Sequence, residues 1–470
     1  MFDKQWRTLG LAAALAGAGG LLMANPALAA DAPKLTLEEV TVNVTAVKSG
    51  ADTLLMLIGS AMVLLMTPGL AFFYGGFGRA KNVLNIMMMS FLMMGLVGVT
   101  WVVYGYSLAF DTSLGSPFIG GFKNLFMNGV GGQFGIDPVW AGDEFLISGM
   151  SASSFALFQG MFAIITPALI SGALVERVNF KAWFWFGLLW STFVYIPMAH
   201  MVWGGNGLIY AQIGALDFAG GTVVHIASGV GALVSVAMIG PRRTFPNRVS
   251  PPHNVPFILL GAGLLWFGWF GFNGASYFAA QGAGLSFITT NTAAAAAMLT
   301  WLLLEQIEIG KPTAVGAATG AVAGLVGITP SAGFVPVWAS LPIGAITALV
   351  CFLFVTKVKG RINLDDSLDA FGVHGVGGTV GAILTGVFAQ QSFLVEKAFP
   401  TQFKVIANGP LAMTWAQIQA VLVTYLYVGI ATFVIWTLLK SVMRVRATDE
   451  QELKGLDFAL HGEDAYGKER

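Results

Sequence analysis

Eleven predominantly apolar stretches, separated by short polar segments, set the pattern of this chain. They fall near residues 52–74, 83–105, 153–175, 182–201, 221–240, 256–273, 285–307, 313–330, 336–356, 368–390 and 416–439. A helix of about 20 apolar residues crosses a bilayer core. The pattern therefore predicts an all-α polytopic membrane protein of eleven transmembrane helices. The run 256–273 is short and has room to extend at either end. Pro68, Pro167 and Pro197 fall inside runs and are candidate kinks. Composition strengthens the prediction: 56% of residues are hydrophobic and only 10% are charged, against about 25% charged in soluble domains. The 60 glycines predict close helix approach, which is a packing signal and says nothing of cargo.

The polar segments give the organisation. Lys4 and Arg7 precede an apolar stretch from Leu9 to Met23, and Ala27-Leu28-Ala29 offers a small-x-small cleavage site. Residues 1–30 thus read as a signal peptide, with an anchor helix as the alternative. Residues 31–440 form the transmembrane domain and 441–470 a polar tail. With the mature N-terminus outside and the C-terminus inside, the cytoplasmic segments carry 17 Lys and Arg against 5 in the outer segments. The positive-inside rule therefore predicts an N-out, C-in topology. Spans one to five and six to ten each hold an odd number of helices. Tandem copies of such a unit must face opposite ways across the membrane, as in inverted repeats. The eleventh span lies outside the repeat and is expected to brace the bundle.

The candidate chemistry repeats with the helices. The chain has five histidines. His225 follows Thr222-Val223-Val224 and precedes Gly229 and Gly231; His374 follows Gly372-Val373 and precedes Gly375, Gly377, Gly378 and Gly381. An ionisable group at membrane depth is costly and by default marks a pathway. A lone histidine in an apolar helix is more often a hydrogen-bonded structural residue, and that reading stands for His200, placed near an interface. His253, in a proline-rich loop, is expected to be solvated. Other chemistry is not signalled. The net charge is zero, giving no sign of a nucleic-acid partner. The single cysteine, Cys351, reads as a small apolar packing residue. No metal-ligand cluster, cofactor motif or phosphate-binding GxxxxGK[ST] loop is present in the sequence, and no nucleophile accompanies the histidines at enzyme-like spacing.

Several strings resemble the ammonium transporter family (the Amt/MEP/Rh superfamily), its bacterial Amt branch in particular. They are Asp217-Phe218-Ala219-Gly220-Gly221-Thr222-Val223-Val224-His225, Gly268-Trp269-Phe270-Gly271-Phe272-Asn273 and Asp369-Ala370-Phe371-Gly372-Val373-His374-Gly375. Tyr104-Gly105-Tyr106-Ser107-Leu108-Ala109-Phe110, Phe158-Gln159-Gly160-Met161-Phe162 and His461-Gly462-Glu463-Asp464-Ala465-Tyr466 extend the match over about residues 50–466. The resemblance implies that Trp203, Phe162 and Ser276 recruit ammonium in an external vestibule, with Asp217 orienting the backbone nearby. It implies that Phe162 and Phe272 stack as a gate and that His225 and His374 line the pore beneath. It also implies a homotrimer in the bacterial inner membrane, and a tail that packs across the cytoplasmic pore mouths and meets a PII-type nitrogen signalling protein. Relative to the family pattern, a short insertion separates Trp203 from Asp217, and Thr319 stands in place of a serine.

Ammonium chemistry suits these residues. Potassium has a similar size and the same charge, so discrimination needs a property it lacks. Ammonium donates hydrogen bonds and can lose a proton. Losing it removes most of the cost of entering an apolar pore, after which ammonia passes the rings, and paired imidazoles can guide it or relay the proton. On that reading transport is electrogenic. The alternative function is an ammonium sensor that signals through its tail and a partner. Blander readings exist for single residues. Trp203 suits an interfacial aromatic belt, and Phe162 and Phe272 suit ordinary packing among 36 phenylalanines. Asp217 suits a helix N-cap that also supports the site, and Asp369 an N-cap alone. Gln159 suits an interhelical hydrogen bond, and Glu305 and Glu308 an interface.

Overall fold

A computed structural model of the chain describes residues 37–131, 150–246 and 251–467. The expected signal peptide, residues 1–30, lies outside the described residues. Packing divides the chain into Met1–Lys48 and Ser49–Arg470. Of the first unit only the start of the helix Leu37–Phe77 is described; the second unit holds everything that follows.

Among the described residues no strand forms, and an isolated β bridge joins Val178 with Arg446. Among the described residues ten helices are long and apolar enough to cross a membrane. In chain order they are α1 (Ala46–Phe77), α2 (Ala80–Phe110), α3 (Ala152–Ala173), α4 (Phe180–Ile213), α5 (Gly221–Ile239), α6 (Val255–Tyr277) and α7 (Ala283–Ile309), then α9 (Val337–Val358), α10 (Phe371–Phe388) and α11 (Pro410–Val442). Between α7 and α9 lies α8 (Ala314–Ile328), apolar but only 15 residues long. Each of the eleven predicted runs falls on one of these helices. The short sixth run extends through Tyr277, so Ser276 sits on its last turn. α4 contains a turn at 204–207, and the segment after Trp203, expected to be an insertion, forms the helical turn Leu208–Ile213. That segment is held in place: Gln417 of α11 both donates to and accepts from the Leu216 backbone, and Gln402 donates to the Tyr210 carbonyl at 2.8 Å.

Proline is accommodated by a specific exchange in α4. Pro197 has no N–H with which to bond the Phe193 carbonyl four residues back. The Tyr427 hydroxyl of α11 donates to that carbonyl instead, at 2.6 Å. α11 also braces α4 and α5. Trp190 donates to Thr432 at 2.9 Å, Trp436 donates to Ser235 at 2.7 Å, and Phe186 stacks on Trp436 with centroids 4.3 Å apart. Its opposite face, with Leu422, Leu426 and Ile430, is left exposed. A close backbone crossing joins α5 to α10. A Cβ on Gly229 would lie 2.2 Å from the Gly375 nitrogen, so only glycine allows this approach.

The tail is docked rather than solvated. Asn179 N–H donates to the Val445 carbonyl and Ala447 N–H to the Arg177 carbonyl, each at 2.9 Å. The short helix Asp449–Lys454 is started by a Thr448/Gln451 capping box. The Asp457 carboxylate accepts from Leu84 N–H at 3.1 Å and Asn85 N–H at 2.8 Å, near the start of α2. His253, expected to be solvated, meets Gly78 O through one ring nitrogen and the Tyr466 hydroxyl through the other, each at 2.8 Å. His200, placed at an interface by the sequence, is fully buried, its ring nitrogens 2.9 Å from Ala109 O and Ser116 O. Glu305, expected at an interface, is buried and accepts from Thr313 N–H at 2.7 Å at the start of α8. Cys351 is buried as an apolar packing residue.

Candidate functional site

Two aspartates fix the starts of the two histidine helices. Asp217 precedes α5, and its carboxylate accepts from the N–H groups of Gly220 (2.8 Å), Gly221 (2.6 Å), Thr222 (2.8 Å) and Val223 (3.2 Å), and from the Thr222 hydroxyl. Those are the donors a helix start leaves without partners. Burial pushes this carboxyl up, and the hydrogen bonds from Thr222, Gly220 and Gly221 offset only part of the rise. The Asp217 carbonyl accepts from the Trp203 indole N–H at 3.0 Å. One residue thus caps α5 and orients Trp203, the mixed role read from the sequence.

At the other histidine helix the sequence pointed to the wrong aspartate. Asp369 does not cap α10; it has φ +59° and pairs with Lys359. The cap is Asp366, whose carboxylate accepts from the N–H groups of Ala370 (3.0 Å), Phe371 (2.8 Å) and Gly372 (3.0 Å). Burial and the nearby Asp369 charge push Asp366 up to about 6. The missed signal was spacing: Asp217 and Asp366 each stand eight residues before their histidine. The cap belongs to the repeated unit as much as the histidine does.

From these starts the side chains line up. Trp203 of α4 meets Phe162 of α3 edge to face, with centroids 5.9 Å apart at 89°. Phe162 lies 4.3 Å from Phe272 of α6, tilted by 41° rather than stacked parallel. Phe272 lies over His225, 5.8 Å away at 21°, and His225 lies over His374, 5.3 Å away at 24°. The Nδ1 atoms of the two histidines are 3.2 Å apart, within hydrogen-bond reach when one is protonated. Trp269 flanks His225 at 5.3 Å. Five of the seven residues singled out from the sequence, Trp203, Phe162, Phe272, His225 and His374, therefore follow one another in a line of ring contacts.

Three cavities follow that path. The first is lined by Gln159, Phe162, Trp203, Asp217 and Ser276 among others. The second, narrow and apolar, is lined by Val224, His225, Leu265, Trp269, Phe272 and His374. The third runs on past His374 to Tyr74, Phe77, Thr319 and Asp369. The Ser276 hydroxyl donates to the Phe272 carbonyl at 2.7 Å, which commits its proton and leaves its lone pairs to accept. Gln159, read from the sequence as an interhelical partner, is buried in α3 one turn from Phe162. Among the described residues its amide oxygen has no partner, and the oxygen itself is shielded from the cavity. Among the described residues no group of three or more His, Cys, Asp or Glu is placed to hold a metal ion.

A multi-pass helical bundle with cavities strung along a line of paired histidines and aromatic rings is the architecture of a membrane transport protein. The comparisons make this specific: residues 54–466 match the Ammonium Transporter Family, and the chain belongs to it. It is 46% identical over 416 residues to an ammonium transporter of Bacillus subtilis, covering 88% of this chain and 98% of that one. A crystal structure of Mep2 from Candida albicans superposes with a TM-score of 0.76 at 31% identity, covering 88% of this chain and 90% of that one. A structure described as a sensor Amt protein superposes with a TM-score of 0.78 at 28% identity, covering 88% of this chain and 99% of that one.

Proposed function

We propose that this protein carries ammonium across a bacterial inner membrane, and that the line Trp203–Phe162–Phe272–His225–His374 is its path. The observation that carries this is the pair of capped histidines facing each other at 3.2 Å beneath the touching Phe162 and Phe272 rings. Ammonium enters the first cavity, where the rings of Trp203 and Phe162 attract it by roughly 0.5–2 kcal/mol. Ser276 accepts one of its hydrogen bonds. Neither contact replaces a hydration shell, so a bare cation does not continue into the apolar second cavity. Ammonium leaves its proton, ammonia passes the rings, and the histidine pair guides it. Relay of the proton along the same pair makes the transport electrogenic. Potassium has no proton to leave and stops at the gate.

The sequence supports eleven spans with the N-terminus outside and the tail inside, because 17 of the 22 Lys and Arg beyond residue 30 fall on the side that holds the tail. The first cavity then opens outward. The family resemblance supports a homotrimer, and a regulatory tail that receives a PII-type signalling protein. The docked tail, which touches the start of α2 and the loops after α3 and α5, is consistent with that role. Deletion after Arg446 that left both uptake and its regulation unchanged would count against it. The similarity to a sensor Amt protein favours a second reading, in which ammonium occupies the site and the tail reports it. Purified protein in potassium-containing liposomes decides between them. Ammonium-dependent alkalinisation of the lumen or an ammonium-evoked current supports transport, and binding without flux supports sensing.

A further inference from the structure

Of the side chains lining the second cavity, only His225, His374 and Trp269 carry nitrogen. Trp269 of α6 is buried. Its ring lies beside His225 with the planes 23° apart, and beside Phe272 at 5.4 Å. The indole N–H is a donor with no acceptor capacity. Left without a partner in that place, it would compete for the imidazole nitrogens or hold water in an apolar passage.

That donor is already engaged. It reaches the Thr329 hydroxyl at 2.9 Å, and the hydroxyl proton is committed in turn to the Leu325 carbonyl at 2.7 Å. The Thr329 oxygen therefore presents a lone pair to the indole in one fixed direction. Thr329 is buried and follows directly on the short helix α8. The next residue, Pro330, accepts from Phe218 N–H at 3.1 Å, beside the Asp217 cap of α5. The end of α8 thus reaches the surroundings of His225 from two sides, through Trp269 and through the start of α5. A second ring is tied back in the same manner. The Tyr74 hydroxyl of α1 donates to the Leu169 carbonyl of α3 at 3.0 Å, and Tyr74 lines the third cavity.

We infer that Thr329 is a positioning residue for the histidine pair. Its oxygen holds the indole N–H away from the passage. Trp269 then turns a ring face to His225 and leaves the His225 nitrogens to His374 and the molecule in transit. The effect of Thr329 on flux rests on the transport reading; its hold on the His225 ring does not.

The test is Thr329→Val, which keeps the shape of the side chain and removes its oxygen. Full-length protein, its histidines labelled with the NMR-active nitrogen isotope, is placed in liposomes. Imidazole nitrogen signals and ammonium flux are recorded on the same preparations. The His225 signals are identified by their absence from His225→Ala. In Thr329→Val they shift or broaden, and flux per folded protein falls about tenfold, the rate equivalent of one hydrogen bond. Thr329→Ser restores the acceptor and returns both readings to those of the natural chain. In Trp269→Phe, which has no indole N–H, adding Thr329→Val changes neither reading further. Thr329→Ala removes the same oxygen and replaces Thr329→Val if that variant fails to fold. His225 signals that stay unchanged in Thr329→Val, or change as much in Thr329→Ser or on adding Thr329→Val to Trp269→Phe, overturn the inference. Shifted signals with undiminished flux uphold the tether and instead contradict the view that the pair conducts.

Discussion

The substitution Gly229→Ala tests whether the α5–α10 crossing sets the histidine pair. A Cβ at position 229 would lie 2.2 Å from the Gly375 nitrogen, 2.3 Å from its Cα and 3.1 Å from the His374 carbonyl carbon. These neighbours are backbone and cannot rotate aside. Ordinary contact begins at 3.4 Å, so the two helices must part by about 1 Å, the shortfall at the Gly375 Cα. His225 stands one turn before Gly229, and His374 adjoins Gly375. A separation of that size moves Nδ1 from Nδ1 beyond hydrogen-bond reach, from the present 3.2 Å. Overpacking of this kind costs about 1–3 kcal/mol, enough to lower the melting temperature by a few degrees. Gly263→Ala is the control, since nothing lies within 4 Å of a Cβ there. Ammonium flux in liposomes and thermal melting in detergent are measured on both. The expected result is reduced flux and a lower melting temperature for Gly229→Ala alone. Unchanged flux and melting in Gly229→Ala would refute the claim that this contact holds the pair.

Three further outcomes follow from the same contacts. Ser276→Ala removes the cavity acceptor; at about 1.4 kcal/mol for one hydrogen bond to a cation, the KM for ammonium uptake rises roughly tenfold while melting is preserved. Asp217→Asn and Asp366→Asn each weaken a helix cap, so each lowers stability by about 1–2 kcal/mol in denaturation assays, and the two losses should match if the caps are equivalent. Asp365→Asn leaves the fully buried Arg177 without the carboxylate 3.7 Å away and strips Arg242 of its partner at 2.8 Å, a loss of about 3–5 kcal/mol. Burial alone would raise the Asp365 carboxyl, but hydrogen bonds from Arg242 and the charge of Arg177 hold it below its ordinary value. A depressed carboxyl contributes stability above its unfolded value, about 3.9, and loses it as pH falls through the folded value. Melting profiles below pH 4 should therefore decline less steeply in Asp365→Asn than in the natural chain.

The helices were legible because lipid leaves a chain little choice: every backbone donor must bond within its own segment, so apolar runs become helices. Their fine structure was not. The π turn Ser191–Tyr195 and the Tyr427 hydroxyl that serves Phe193 depend on a neighbour 234 residues away. His225 and His374 were visible because similar glycine-rich surroundings recur around both. Asp366 was missed because Asp369 stands nearer the helix start, and the backbone turns at Asp369 with positive φ before α10 begins. The docking of the tail was legible only through the family resemblance, for a different reason. Its polar composition suits solvent equally well, and only folding brings Asp457 to Asn85, 372 residues earlier.

Ammonium-evoked current in liposomes, with potassium present, tests the central claim most directly when the natural chain is compared with His225→Ala and His374→Ala. The proposed mechanism predicts a current in the natural chain that is lost, or becomes permeable to potassium, in both variants. A current of the same size and selectivity in either variant would contradict it and return the histidine pair to the packing of the bundle.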